Sequence, residues 1–302
     1  MRLLPALTLA VLVLTPFTPA SADGLAGTLK QIKDRRAITI GVGDSSIPFS
    51  YIDRSNQTVG YAVDLCLFVA EAVKTRLNDS MIETKLVPIA SAARIALLSN
   101  GTIDLHCSAN TNNAERQKVL GFSDTIFLTA SRFVSKNTKN LRRIADLRGR
   151  TVVSTAGSSN FKQLVEVNAK QGLNMTILTA KEHAEAFLMV ESGRADAFVM
   201  DDILLASFVA GSKEPGAYTI SSEAFAKPEP YAIMMRKGDP VFKALVDETL
   251  ASIFKGPRIA ELYDRWFTKP IPPHGINLDF PMGAALKRVF AQPSDSPDPD
   301  AY

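Results

Sequence analysis

A doubly wound α/β protein in two lobes is the fold this sequence predicts, on three observations. Short apolar strands alternate with amphipathic helices along the chain, the order that builds a mostly parallel sheet covered on both faces. Nearly all of these strands are continuously apolar rather than alternating, as strands buried on both faces are. The chain has 302 residues, near the size at which one hydrophobic core stops growing and a chain divides into domains.

The first 22 residues stand outside the fold. Arg2, the apolar run LLPALTLAVLVLTPF and the small residues Ala20 and Ala22 have the order of a secretory signal cleaved after Ala22. The run is too short for a membrane span, and no later stretch approaches the roughly 18 apolar residues that spanning requires. An exported chain without direct membrane insertion is expected. Strands follow at 37–43, 84–89, 103–107, 151–155, 175–180, 196–201 and 232–237. In the helix at 64–77, Leu65, Val69, Ala72, Val73 and Leu77 share one face, and Glu71, Lys74 and Arg76 take the other. Asp239 before Pro240 reads as an N-cap with proline at the first helical position. Leu262 and Trp266, one turn apart, read as core. The tail AQPSDSPDPDAY, residues 291–302, is expected to be disordered.

Charge and cysteine usage narrow the function classes. The formal charge of +3 becomes +2 when Arg2 leaves with the signal, because no acidic residue leaves with it. That balance points to no nucleic-acid partner and no anionic membrane. Export makes a disulfide between Cys66 and Cys107 chemically accessible, the alternative being two buried free thiols. The histidines lack ligand spacing relative to the cysteines, so no metal and no cofactor are expected.

In doubly wound sheets ligands bind beyond the carboxyl ends of the strands, which selects a few polar loops. After the third strand, an Asn112 or Asn113 cap would place Arg116 in the first turns of a short helix. Its guanidinium, free backbone N–H groups and the Thr111 hydroxyl would then suit a planar anion; the other reading is a solvated arginine or a structural salt bridge. Asp201 is placed as the acceptor of an ammonium group, with Asp202 capping the next helix. Ser158 and Ser159 read as anion contacts or as plain N-caps. Ser91 and Arg94 follow the second strand, and His183 the fifth.

Several ordered motifs, among them AITIGVGDSSIPFSY, TNNAERQKVLGFSDTIF, SGRADAFVMDDILL and YDRWFTKPIPP, resemble the periplasmic amino-acid-binding proteins of ATP-binding-cassette importers. The chain looks most like their glutamate/aspartate-binding members. The resemblance implies a type II periplasmic binding protein fold, two lobes joined by a two-strand hinge. Lobe I would comprise residues 23–127 plus 232–290, and lobe II residues 128–231. Carried over by likeness, Arg116 with Thr111 holds the α-carboxylate and Asp201 the α-ammonium. Ser91, Arg94 and His183 face the ligand side chain, and Ser158 and Ser159 contribute from lobe II. Two departures stand out: Gly43 occupies the position of a further arginine, and Ala109 replaces a small hydroxyl residue, where a backbone N–H can serve. The implied ligand is glutamate or aspartate. With one cation fewer, glutamine, asparagine or another polar amino acid is the alternative. The implied partner is a membrane permease and the expected state a monomer in the periplasm. The fold also hosts periplasmic enzymes such as dehydratases, but neither serine is followed by the elbow motif or adjacent base that a nucleophile needs.

Overall fold

The computed structural model describes residues 25–273 and 275–302; the expected signal, residues 1–22, lies outside the described residues. Seven expected strands form, in two five-stranded sheets. In the first sheet, Ala37–Val42 runs parallel to Glu83–Pro88 on one side and Leu105–Cys107 on the other. Met234–Arg236 then pairs antiparallel with Leu105–Cys107 and with Leu120–Phe122, so one apolar run that reads as parallel is not. In the second sheet, Thr151–Thr155 lies parallel to Thr176–Ala180 and Ala197–Asp201. Ser131–Lys136 joins antiparallel to Ala197–Asp201 and carries Tyr218–Ile220 at the edge.

Alternation along the strands divides the first core. Ile38, Ile40, Val42, Leu105, Cys107 and Met235 face the helix Tyr61–Leu77 in the main cluster. Met234, beside Met235 in sequence, points the other way into a cluster with Leu98, Ile103, Leu120 and Phe122. The capping prediction at Asp239 is seen directly: its side chain accepts from the N–H of Phe242 at 3.1 Å, with Pro240 opening the helix Pro240–Phe254. Cys66 and Cys107 are joined by a disulfide between the helix Tyr61–Leu77 and the strand Leu105–Cys107, with Cα atoms 6.4 Å apart. On the chain-entropy account, closing a loop of this length stabilises by about 4 kcal/mol.

The chain crosses between the lobes twice, along Phe127–Thr129 and Glu229–Tyr231, which pair antiparallel as the two-strand hinge. Aromatic rings seat this hinge in the first lobe. Phe49 meets Phe127 at 5.0 Å and Tyr231 at 5.1 Å edge-on, and Phe127 stacks on Phe267 at 5.1 Å.

The tail departs from expectation. Far from being disordered, residues 291–302 are laid along the first lobe: the Thr125 N–H donates to the Ser294 carbonyl at 2.9 Å, and the Tyr302 hydroxyl pairs with Thr125 Oγ1 at 2.7 Å. Its proline, serine and aspartate content, which reads as disorder, builds local turns instead, as where Asp298 accepts from the N–H of Asp300 at 3.0 Å.

Candidate ligand-binding site

The loops after the strands converge between the lobes, and there the cleft is closed. Thr111 Oγ1 of the first lobe lies 2.9 Å from Ser159 Oγ of the second. Two buried arginines of the first lobe reach a single carbonyl of the second, that of Gly157: Arg94 Nη2 donates at 3.3 Å and Arg116 Nη2 at 3.2 Å. Gly157 has φ +75°, and a Cβ there would sit 2.8 Å from Ala92 Cα of the opposite lobe. Only glycine allows both the turn and this approach.

Arg116 follows an Asn113 cap: the Asn113 side chain accepts from the Arg116 N–H at 2.9 Å. The element is a single 3-10 turn, Arg116–Lys118, rather than a longer helix. The guanidinium folds back to donate through Nη1 to the Thr111 carbonyl at 2.9 Å, which fixes its direction. Arg94 Nη1 leans on Asn110 Oδ1 at 3.4 Å, and its Nε is buried without a partner. Burial, and then the charge of Arg116, lowers the Arg94 pKa to about 9. An orphaned donor on a cation crowded by another cation is a demand for an anion.

Arg94, Ala109, Thr111, Ser158, Ser159, His183 and Asp201 line one small cavity together with Asn160. Arg116 borders it, lining an adjoining groove with Ser158, Ser159 and Glu229. Ser91 lies at the margin, its carbonyl oxygen 3.2 Å from where a Gly157 Cβ would sit. Gly43 offers no room for a larger side chain in this closed arrangement, since its Cβ would meet Ser108 Oγ at 2.6 Å.

The two readings of the serines separate here. Ser158 is the cap of the helix Ser159–Gln171, accepting from the Phe161 N–H at 3.1 Å, while Ser159 faces the cleft. Asp202 does not cap the next helix as expected: it is the first residue of the helix Asp202–Gly211, and Asp201 holds the N-cap position, without a side-chain capping hydrogen bond. Asp202 accepts from Thr129 Oγ1 at 2.8 Å and the Ala130 N–H at 3.3 Å beside the hinge. Asp201 accepts from Asn160 Nδ2 at 2.7 Å and from the Tyr231 hydroxyl. Burial raises its pKa to about 6, although both hydrogen bonds pull it down. His183 Nδ1 is 2.8 Å from Thr155 Oγ1, and burial holds the ring neutral with a pKa of about 3.

Three residues that sequence reading missed complete the arrangement: Asn110, Asn160 and Tyr231, all nearly or fully buried. Each orients a charged group rather than offering a charge. Their only sequence signal is a position beside a residue of interest, as Asn110 beside Ala109 and Thr111. At neutral pH the cleft therefore gathers two guanidiniums, the Asp201 carboxylate and a neutral imidazole, with Glu229 beside Arg116 part-ionised because burial raises its pKa to about 7, which leaves a surplus of positive charge.

The relatives accord with such a cleft. The chain is 43% identical over 299 residues to the L-glutamate/L-aspartate-binding protein of Pseudomonas aeruginosa, covering 98% of each chain. It is 40% identical over 275 residues to the glutamate/aspartate import solute-binding protein of Escherichia coli, covering 91% of each. Among solved structures, a mutant of ArgBP from T. maritima superposes with a TM-score of 0.71 at 26% identity, over 80% of this chain and 99% of that one. Residues 38–269 match the model of the bacterial extracellular solute-binding proteins, family 3, and the chain belongs to that family.

Proposed function

We propose that the protein captures one free glutamate or aspartate in the periplasm and delivers it to the membrane permease of an ATP-binding-cassette importer. The observation that carries this reading is the charge of the closed cleft. Arg94 and Arg116 outweigh Asp201 and the part-ionised Glu229, whose pKa burial raises to about 7, and a buried surplus of charge needs its counter-charge. An amino acid with an acidic side chain brings one net negative charge. Its α-carboxylate goes to Arg116 and Thr111, its ammonium to Asp201, and its side-chain carboxylate to Arg94, with His183 and Ser91 beside it. Ser159 adds a hydroxyl from a helix N-terminus, whose partial positive charge favours the anion.

The lobes divide as residues 23–127 plus 232–290 and residues 128–231, and they close because the ligand favours the closed form. The protein is a binding protein rather than an enzyme, acts as a monomer, and has no nucleic-acid partner. The names of the relatives at 40% identity and above support glutamate and aspartate. A neutral amide such as glutamine is the second reading, favoured by Gly43 in place of a further cation.

The test is thermal denaturation of the mature chain against a panel of amino acids. A ligand at a hundred times its dissociation constant stabilises by about 2.7 kcal/mol. Glutamate or aspartate is expected to raise the midpoint most; a panel in which neither moves it would remove the reading.

Acid weakens the same interaction. Asp201 titrates at about 6 without ligand, and an ammonium beside it lowers that value, so binding releases a proton. Affinity is thus present above about pH 6 and falls as pH drops through it, by up to about tenfold per pH unit. Calorimetric titrations between pH 7 and 5 measure the slope. Asp201→Asn is expected to bind weakly and to lose this fall in affinity toward acid, keeping only the titration of Glu229 at about 7 beside Arg116; an unchanged slope in that variant would assign the proton elsewhere.

A further inference from the structure

We infer that residues 293–302 form a strap that sets the position of Arg116, so that ligand affinity depends on a segment that touches no ligand. The inference rests on the reading that Arg116 holds the α-carboxylate. Asn112 and Gln117 bracket the loop that carries this arginine. One backbone oxygen of the strap, that of Asp295, accepts from both: from Asn112 Nδ2 at 2.9 Å and from Gln117 Nε2 at 2.9 Å. Gln117 Nε2 also donates to Asn112 Oδ1 at 3.0 Å, closing a ring across the loop.

Each bracketing residue adjoins a part of the carboxylate site. Gln117 follows Arg116, and Asn112 follows Thr111, whose carbonyl receives the guanidinium. Asn112 is fully buried, so without the strap its amide would lose an acceptor that water replaces poorly.

The strap is itself fixed at several points. The Thr125 N–H donates to the Ser294 carbonyl at 2.9 Å. The Tyr302 hydroxyl donates to the Ser296 carbonyl at 2.7 Å and receives Thr125 Oγ1. Lys243 Nζ lies 3.0 Å from Asp295 Oδ2. These anchors belong to the first lobe, as Arg116 does; one further contact, the exposed pair of Lys227 Nζ and Asp300 Oδ2 at 2.6 Å, reaches the second lobe, so Gln117→Ala, which leaves that pair intact, isolates the effect on the loop.

Calorimetry and stopped-flow dissociation with glutamate on a chain ending after Gln292 test this. Two hydrogen bonds lost from the loop predict affinity lower by about tenfold, through faster release, with the same factor for aspartate and an intact far-ultraviolet dichroism spectrum. Unchanged affinity with a lowered melting midpoint would make the strap a brace for stability alone and overturn the inference. Should the shortened chain fail to fold, Gln117→Ala in the full chain decides: binding weakened several-fold at an unchanged midpoint supports the strap, and unchanged binding overturns it. Arg116→Ala run beside them separates the two ideas. If that variant binds normally the carboxylate assignment falls; if it fails to bind while the shortened chain binds fully, only the strap falls.

Discussion

Arg116→Ala is expected to lose measurable binding of every amino acid, acidic or neutral, while the fold survives. The α-carboxylate is common to all of them, and the proposed reading gives it to Arg116. Removing one partner of a buried, hydrogen-bonded charge pair costs about 2–5 kcal/mol, or about thirty- to several-thousand-fold in affinity. The upper part of that range applies here for two reasons. The guanidinium is pre-set by the Thr111 carbonyl at 2.9 Å and the Asn113 cap, so little ordering offsets its loss. It also donates to the Gly157 carbonyl of the other lobe at 3.2 Å, so the variant loses a link that holds the cleft shut. His183→Ala makes the contrast. That ring is neutral and turned toward Thr155, so its removal is expected to change the ranking among side chains within about tenfold. Calorimetric titration of both variants with glutamate, aspartate and glutamine measures the difference, and equal losses across all ligands in both would contradict the division of roles.

Much of this cleft was legible in the sequence because charge and position are local properties. Arg116 follows an asparagine cap and Asp201 ends a buried strand, and each sits where doubly wound sheets bind ligands. What was not legible depends on meetings across the chain. Tyr231 reads as one aromatic in a short apolar run, yet its hydroxyl reaches Asp201 from the hinge, an encounter set by the packing of Phe49 and Phe127 beneath it. The hinge strands Phe127–Thr129 and Glu229–Tyr231 are three residues each, too short for periodicity to register, and only the resemblance placed the crossings there, near FLTAS and PEPYA. Ser131–Lys136 escaped because polar residues interrupt it, though Ser131 and Ser135 are fully buried. The tail misled for a related reason: composition reports what a segment lacks for a core of its own, not the donors that another surface offers it. Asn112, Gln117 and Thr125 supply those donors from far back in the chain.

On the proposed reading Arg94 sets the class of ligand, and Arg94→Gln is expected to turn an acidic-amino-acid site into one for neutral amides. The argument is the charge of the closed cleft. With Arg94 present, two guanidiniums outweigh the Asp201 carboxylate and the part-ionised Glu229, and Arg94 Nε is buried with no hydrogen-bond partner. A side-chain carboxylate answers both. Glutamine at the same place leaves the surplus charge unpaired, which burial penalises. Once Arg94 is glutamine, Arg116 no longer outweighs Asp201 and Glu229, and the neutral zwitterion becomes the better-matched ligand while glutamate brings an unpaired charge. Glutamate affinity is expected to fall by about a hundredfold or more, and glutamine affinity to change by less than about tenfold. Part of any loss is shared, because Arg94 also holds the Gly157 carbonyl at 3.3 Å and Asn110 at 3.4 Å. Only the ratio between ligands therefore reports the charge. Arg94→Lys supplies the control: it keeps the charge and gives up the fork, so it should retain the preference for glutamate at reduced affinity. Competition titrations of glutamate against glutamine on the three proteins yield the ratios. A glutamate-to-glutamine ratio that stays the same in Arg94→Gln would show that the preference is set elsewhere in the cleft, with Gly43 and His183 the next residues to change.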